Sequence, residues 1–381
     1  PSSPFMPRMV AVFLIHLFDR GQAVHARRTW YRSGMKRFHL IVALVFAALL
    51  TTACRDEAES RQAEFYVFGT LTGVTLWDVH EAESQRAFAR LQETFQGMHR
   101  DWHAWQPGEL TRVNEALAGG EEVATSEDIV ELVRRSQELE RLTGGRFNPA
   151  IGALIGLWGF HTSDYPIIGP PPERPEIEAL LAGRPSTLDI RIDGLRLVSS
   201  NAAVQLDFGA VAKGYAIDIA CAQLRELGID NAIVNAGGDL RVIGSHGDRP
   251  WRIAVRAPGG GIVGSLETGR DEAIFTSGNY ERFRQEETRR YPHILDPRTG
   301  WPVEDLASVT VIADEGLLAD AAATALIVAG RSGWREVAQS LGLDQVLLID
   351  GSGKVYLTGR MAGRIELLDG IESEIVEFAT E

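Results

Sequence analysis

Apolar and polar positions alternate from Phe65 to Trp77, with glycines inside the run, which predicts a strand, a bulge or tight turn, and a second strand. The period then changes. Phe88, Leu91 and Phe95 fall on one stripe and predict a helix from about Ser84 to Met98. A second helix is expected over Ser126 to Leu142, with Ser126 as its cap, Asp128 in its first turn and Gly144-Gly145 as its stop. The proline-rich stretch from Ser163 to Pro175 reads as an exposed, semi-rigid loop, and Glu176 to Ala182 reads as helical. From Leu188 to Gly244 the pattern gives two or three strands, a helix over Ala212 to Glu226, and a strand over Ala232 to Val234 that runs into a Gly-Gly turn. Further strands are expected at Trp251 to Arg256, Ala273 to Thr276 and Ser308 to Ile312, followed by a helix around Asp320. Val346 to Ile349 and Val355 to Leu357 form a predicted hairpin across Asp350-Gly351-Ser352-Gly353. Strands and helices mixed without regular βαβ alternation, and without an internal repeat, indicate an α+β fold.

Composition narrows the choice of partner. The chain has 381 residues, 45% of them hydrophobic, enough for one large domain or two closely packed lobes. Its formal net charge of −14, with no Lys/Arg cluster in the body, argues against nucleic acid as a partner. From Met35 the chain reads Lys36-Arg37, an apolar run from Phe38 to Leu50, and Thr51-Thr52-Ala53-Cys54. A charged start, a short apolar stretch and small residues before a cysteine resemble a bacterial lipoprotein signal, too short for a spanning helix of about 20 residues. The expected organisation is therefore upstream, non-mature sequence over 1–34, a signal over 35–53, a tether over 54–64 and the functional domain over 65–381. Cys54 would carry the lipid and hold the protein at the periplasmic face of the membrane. The second cysteine, Cys221, lies in an apolar helical setting and reads as a buried, inert thiol.

Two segments carry the candidate chemistry. Leu206 to Asp218 places Asp207, a glycine turn and Lys213 around the start of a helix, as a phosphate site would require. Asp207 lies in an apolar strand, where an unpaired charge is expensive, so it requires a hydrogen-bonded partner. Leu318 to Leu326 sets Asp320 and Thr324 at i, i+4, one face of a helix, a pairing that suits a hard cation. On the pair alone, a dipole-complementing aspartate and a threonine bonded to its own backbone are the plainer explanation. His293, in the Pro/Gly-punctuated loop Tyr291 to Gly300, is a candidate general base or a loop-holding side chain. The histidines and cysteines show no zinc-like spacing.

Taken in order, several segments resemble the FAD:protein FMN transferase family, the ApbE-type flavin transferases. They are Gly69 to Val74; Trp105 to Asn114; Gly145-Arg146-Phe147-Asn148-Pro149 leading to Leu157-Trp158-Gly159-Phe160; Asp207 to Asp218; Asn235 to Leu240; Ser277 to Tyr280; His293 to Gly300; and Leu318 to Leu326. The resemblance implies a bilobed α+β protein that holds FAD between its lobes with Mg²⁺ at the pyrophosphate. It implies metal ligation by Asp320, Thr324 and the Ala210 carbonyl, with Ala323 beside them. FAD contacts are implied for Thr72, Trp105, Arg146, Phe147, Asn148, Asp207, Lys213 and Ile294. The implied reaction moves FMN to a threonine hydroxyl on a flavoprotein subunit of a membrane redox complex and releases AMP, with His293 as base. A Mg²⁺-dependent FAD pyrophosphatase and a non-catalytic FAD-binding lipoprotein remain open alternatives.

Overall fold

The computed structural model describes residues 59–162 and 164–378. Cys54, the signal segment and the sequence upstream of it lie outside the described residues.

Among the described residues the frame is a nine-stranded sheet in which strand order follows chain order: β1 (Ser60–Val67), β2 (Thr70–Trp77), β3 (Ala232–Ala236), β4 (Asp239–Ile243), β5 (Asp271–Gly278), β6 (Leu306–Ala313), β7 (Val346–Asp350), β8 (Val355–Thr358) and β9 (Ser373–Val376). Neighbours pair antiparallel except β8 and β9, which run parallel. Five helices lie between β2 and β3 before the helix that opens the site: α1 (Glu81–Asp101), α2 (Glu109–Ala118), α3 (Glu127–Leu142), α4 (Gly152–Trp158) and α5 (Arg174–Ala182). That sixth helix is α6 (Ala212–Glu226), and α7 (Gly316–Ser340) follows β6.

The central strands are covered on both faces. Ala273 and Phe275 join the main core while Ile274 between them joins a second cluster, and Val346 and Leu348 alternate in the same way with Leu347 and Ile349. Successive side chains point to opposite faces of a strand, so a strand with two buried faces is an unbroken apolar run. The helices α6 and α7 lie on the main-core face. A three-stranded sheet built from Arg252–Arg256, Ile262–Glu267 and Ile365–Leu367 supplies the second cluster. A third, smaller cluster gathers Ile151, Leu154, Trp158, Phe160, Ile177, Tyr291 and Leu295.

Local chemistry sets the element ends. Ser126 accepts a hydrogen bond from the Ile129 N–H, as a capping serine should, and Gly144 and Gly145 leave α3 with φ of 59° and 75°. Cys221 is fully buried in α6, and burial pushes its thiol up to about 12. The long helix α7 breaks at Gly330 (φ 65°), where Asp305 receives the Arg331 N–H and so starts the helix again.

The structure corrects several expectations. β1 begins at Ser60, inside the segment read as tether, because Arg61, Ala63 and Phe65 already alternate with exposed neighbours against β2. α1 runs from Glu81 to Asp101, longer at both ends than its apolar stripe. Two helices escaped the pattern. α2 is only ten residues long, and α4 reads Gly-Ala-Leu-Ile-Gly-Leu-Trp, with no polar face to mark a period.

Candidate functional site

Where α6 and α7 cross, both chains are glycine. A Cβ on Gly214 would lie 2.1 Å from the Gly316 carbonyl oxygen, and one on Gly316 would lie 2.7 Å from that of Gly214. Asp218, one turn further along α6, accepts hydrogen bonds from the Gly316 N–H (2.8 Å) and the Leu317 N–H (2.9 Å), capping α7 from the side. This close crossing brings Lys213 against Asp320: Nζ to Oδ1 is 3.1 Å, and the other oxygen, Oδ2, accepts the Gly214 N–H at 3.0 Å. Asp239, at the start of β4 just after the Gly237-Gly238 turn, meets the same ammonium at 2.8 Å. Burial alone would lower Lys213, but Asp239 and Asp320 outweigh it and hold the ammonium above its ordinary range. Two carboxylates thus face one fixed cation, and a negative charge is left over.

The backbone at the start of α6 is not an open phosphate cradle. The N–H groups of Val211 and Ala212 bond the Phe208 carbonyl, that of Gly209 bonds Asp207, and that of Gly214 is taken by Asp320. An anion here would be met mainly by side chains. At the glycine turn expected to hold a phosphate, Lys213 lines the cavity while these four N–H groups are spent inside the protein.

The Lys213 cluster forms one end of a cavity of about 600 Å³, within the usual range of about 300–1,000 Å³ for small-molecule sites. Its walls draw on the main core through Met98, Trp102 and Phe208, and on the small cluster through Ile151, Phe160 and Leu295. Trp105, Arg146, Phe147, Asn148, Asp207, Ala210, Lys213, His293, Ile294, Asp320 and Thr324 all line it. The partner Asp207 requires is Trp105, whose Nε1–H donates to it at 2.7 Å, while the indole lies over Gly156 of α4, where a Cβ would come within 2.8 Å. Asn148 spends its amide on the protein, donating to the Pro185 carbonyl at 2.8 Å and accepting from the Ala150 N–H at 2.9 Å. Phe147 is almost wholly packed in the core. Asp296 and Arg298 form a two-point ion pair that fixes the loop carrying His293 and Ile294.

Two expected site residues stand apart. Thr72 faces inward from β2 beside Val74 and Leu76, is fully buried, and has no surface on the cavity; its hydroxyl finds no hydrogen-bond partner among the described residues. Ala323 is buried on the core side of α7, next to Thr324 but off the cavity wall.

Thr324 sits one turn beyond Asp320, and its hydroxyl meets Ser277 Oγ at 3.2 Å. A carboxylate, two hydroxyls and surplus negative charge form a hard oxygen donor set, which fits a divalent cation. Among the described residues no group of three or more His, Cys, Asp or Glu is placed to enclose an ion. A metal here would keep open positions for water or phosphate, as Mg²⁺ does.

His293 hangs from the Arg282 carbonyl through both its own N–H (3.1 Å) and Nδ1 (3.2 Å), so Nδ1 carries the proton and Nε2 is the basic nitrogen. Burial, then the Arg282 charge, hold the imidazole down at about 4. The unfolded chain, with a histidine near 6.5, binds this proton when the folded protein does not, so stability falls as pH drops from about 6.5 toward 4. His293→Gln should flatten that part of a plot of urea midpoint against pH, and equal slopes in both proteins would remove the assignment.

Sequence reasoning missed Asp239, although the Gly-Gly turn before it was visible, because nothing local links it to a lysine 26 positions earlier in the chain. It also missed His99, His103 and His161 on the cavity wall, which come together only in three dimensions. His99 accepts the Phe68 N–H at 3.3 Å and His103 accepts the Trp105 N–H at 3.0 Å, each through Nδ1.

Comparison with known proteins agrees with this geometry. The family model for the ApbE family matches residues 68–347. A protein of Rhodobacter capsulatus named FAD:protein FMN transferase is 43% identical over 92% of this chain, which covers 66% of that protein, just under two thirds. One of the same name from Haemophilus influenzae is 27% identical over 83% of this chain and 94% of its own. Among solved structures, the flavin transferase ApbE from Vibrio cholerae superposes with a TM-score of 0.71 at 29% identity, covering 81% of this chain and all of its own. The ApbE protein from Thermotoga maritima gives 0.72 at 29% identity, over 80% of this chain and 98% of its own. With the family model spanning most of the chain and the Lys213–Asp320 crossing at the heart of the matched region, the chain belongs to the ApbE family.

Proposed function

We propose that the protein is an FAD:protein FMN transferase that moves FMN from FAD to a threonine hydroxyl of a flavoprotein subunit. The observation that carries this reading is the Lys213 ammonium clamped between Asp239 and Asp320 on the wall of a cavity of about 600 Å³, in a chain of the ApbE family. The threonine oxygen forms a new bond to the FMN-side phosphorus, the bond from that phosphorus to the bridging oxygen breaks, and AMP departs with that oxygen. Neutral His293, basic at Nε2, takes the threonine proton. Lys213 is fixed before substrate arrives and faces the charge that builds on the pyrophosphate, the kind of preorganised stabilisation from which phosphoryl-type transfer gains its rate.

Mg²⁺ held by Asp320 and Thr324, with the Ala210 carbonyl beside them, would neutralise phosphate charge when bound. Trp105, Asp207 and the Arg146 turn would hold the rest of FAD. Lipid at Cys54 would keep the enzyme on the periplasmic membrane face, beside acceptor subunits of membrane redox complexes.

Incubation with FAD, Mg²⁺ and a threonine-bearing acceptor domain should add one FMN mass to the acceptor and release one AMP. AMP without a labelled acceptor would replace the transferase with a hydrolase, and bound FAD without AMP would reduce the protein to a binder.

A further inference from the structure

We propose that the tip of the β1–β2 hairpin is the docking surface for the acceptor, which adds an extended segment to the free edge of β1 and rests an apolar side chain on Tyr66 and Leu71. The proposal rests on the transferase reading, which requires a polypeptide to reach the cavity.

The first support is an exposed apolar pair. Tyr66 and Leu71 are 74% and 51% exposed and stand directly opposite each other across the hairpin. Next to them on the same face is Gly73, where an added Cβ would meet nothing within 4 Å. Further along the sheet this face is covered by the second cluster, so the hairpin tip is where the cover ends. A lone exposed leucine means little, whereas a cross-strand apolar pair with one member, Tyr66, on the cavity wall is a patch.

The strand edge is the second support. β1 ends the sheet, and among the described residues nothing pairs with its outer side. The turn residues Phe68 and Gly69 have φ of 55° and 69°, the two-residue turn with positive φ at both positions. In such a hairpin the flanking pair Val67 and Thr70 is hydrogen-bonded, and pairs alternate back from it. The N–H and C=O groups of Glu64 and Tyr66 therefore point away from β2. The ladder is regular to the tip, with neither proline nor bulge to blunt the edge. An extended chain can complete it, and a β-branched threonine favours that conformation.

Position supplies the third. Tyr66, Phe68 and Gly69 line the cavity itself. The Leu71 carbonyl accepts the Gly237 N–H at 3.2 Å, and two residues later Asp239 holds Lys213 at 2.8 Å. A segment seated on this edge runs beside the part of the cavity wall formed by Tyr66, Phe68 and Gly69, and β2 separates it from the Gly237 turn that leads to Asp239.

The test uses the full chain, and its probe is a flavoprotein domain flavinylated by one of the FAD:protein FMN transferase relatives. Adding the domain should slow amide exchange at Glu64 and Tyr66. Glu64→Pro removes one outward donor without touching the β2 ladder, and Leu71→Ser removes half of the apolar pair; together they should raise the acceptor KM at least about tenfold, a change of about 1.4 kcal/mol. FAD affinity should stay at the wild-type value, which also certifies the fold. Unchanged KM and unchanged exchange would overturn the proposal. So would protection that appears without acceptor and tracks a dimer in sedimentation, which would give the edge to a second copy. Protection by acceptor with no FMN transferred would sink the transferase reading and keep the docking surface.

Discussion

Asp320→Asn should lower FMN transfer by about a thousandfold while the protein still folds, the scale seen when one preorganised charge-stabilising group is lost. The amide is nearly isosteric and its oxygen can still accept the Gly214 N–H, so the α6–α7 crossing keeps its hydrogen bond. What vanishes is charge. Asp239 and Lys213 then neutralise each other, and no surplus carboxylate remains to attract a divalent cation. Stability should fall only moderately: the new NH2 group faces the Lys213 ammonium where Oδ1 accepted from it, but Lys213 keeps Asp239 and the buried carboxylate's desolvation is relieved. Single-turnover labelling of the acceptor, read by mass, measures the loss, and urea denaturation checks the fold. Transfer within tenfold of wild type would remove Asp320 from the chemistry.

Gly214→Ala should damage both stability and transfer. The new methyl group would sit 2.1 Å from the Gly316 carbonyl oxygen, and no rotamer change relieves a clash between a Cβ and backbone. The helices must part, at a cost of about 1–3 kcal/mol typical of overpacking. Lys213 is the preceding residue and Asp320 lies one turn past Gly316, so the same displacement opens the 3.1 Å contact on which the cavity end is built. Gly228→Ala is the control. That glycine leaves α6 at its far end with φ of 77°, so alanine there is strained by about 1 kcal/mol but touches nothing near the site. A Gly214→Ala enzyme that transfers FMN as well as the Gly228→Ala control would show that the glycine crossing does not position the chemistry.

The parts of this molecule that were legible in sequence are those whose signal is local. Ser126 announced α3, and the residues of α6 were bounded correctly because an apolar stripe and a glycine turn frame them. The strands β6 and β7 were visible as apolar runs, yet their burial on both faces hid which residue faced α7 and which faced the outer sheet. Asp320 and Thr324 could be paired by helical spacing alone. Asp239 could not, because its link to Lys213 passes through the crossing of a helix and a hairpin turn far apart in the chain. Thr72 shows the converse: a motif position can lie beside a site in sequence and face the core, since one step along a strand reverses a side chain.

Because strand order in the sheet copies chain order, most neighbours in the frame are also near neighbours during synthesis. One junction breaks this rule. β2 and β3 lie side by side, yet helices α1 to α6 are all threaded between them. The entropy of closing so long a loop must be met before that ladder forms. The N-terminal hairpin, though made first, thus closes the longest loop between paired neighbours in the sheet. Until it docks, the apolar strand Ala232–Ala236 is itself an open border, and a nascent chain stalled at that stage is most exposed to aggregation there.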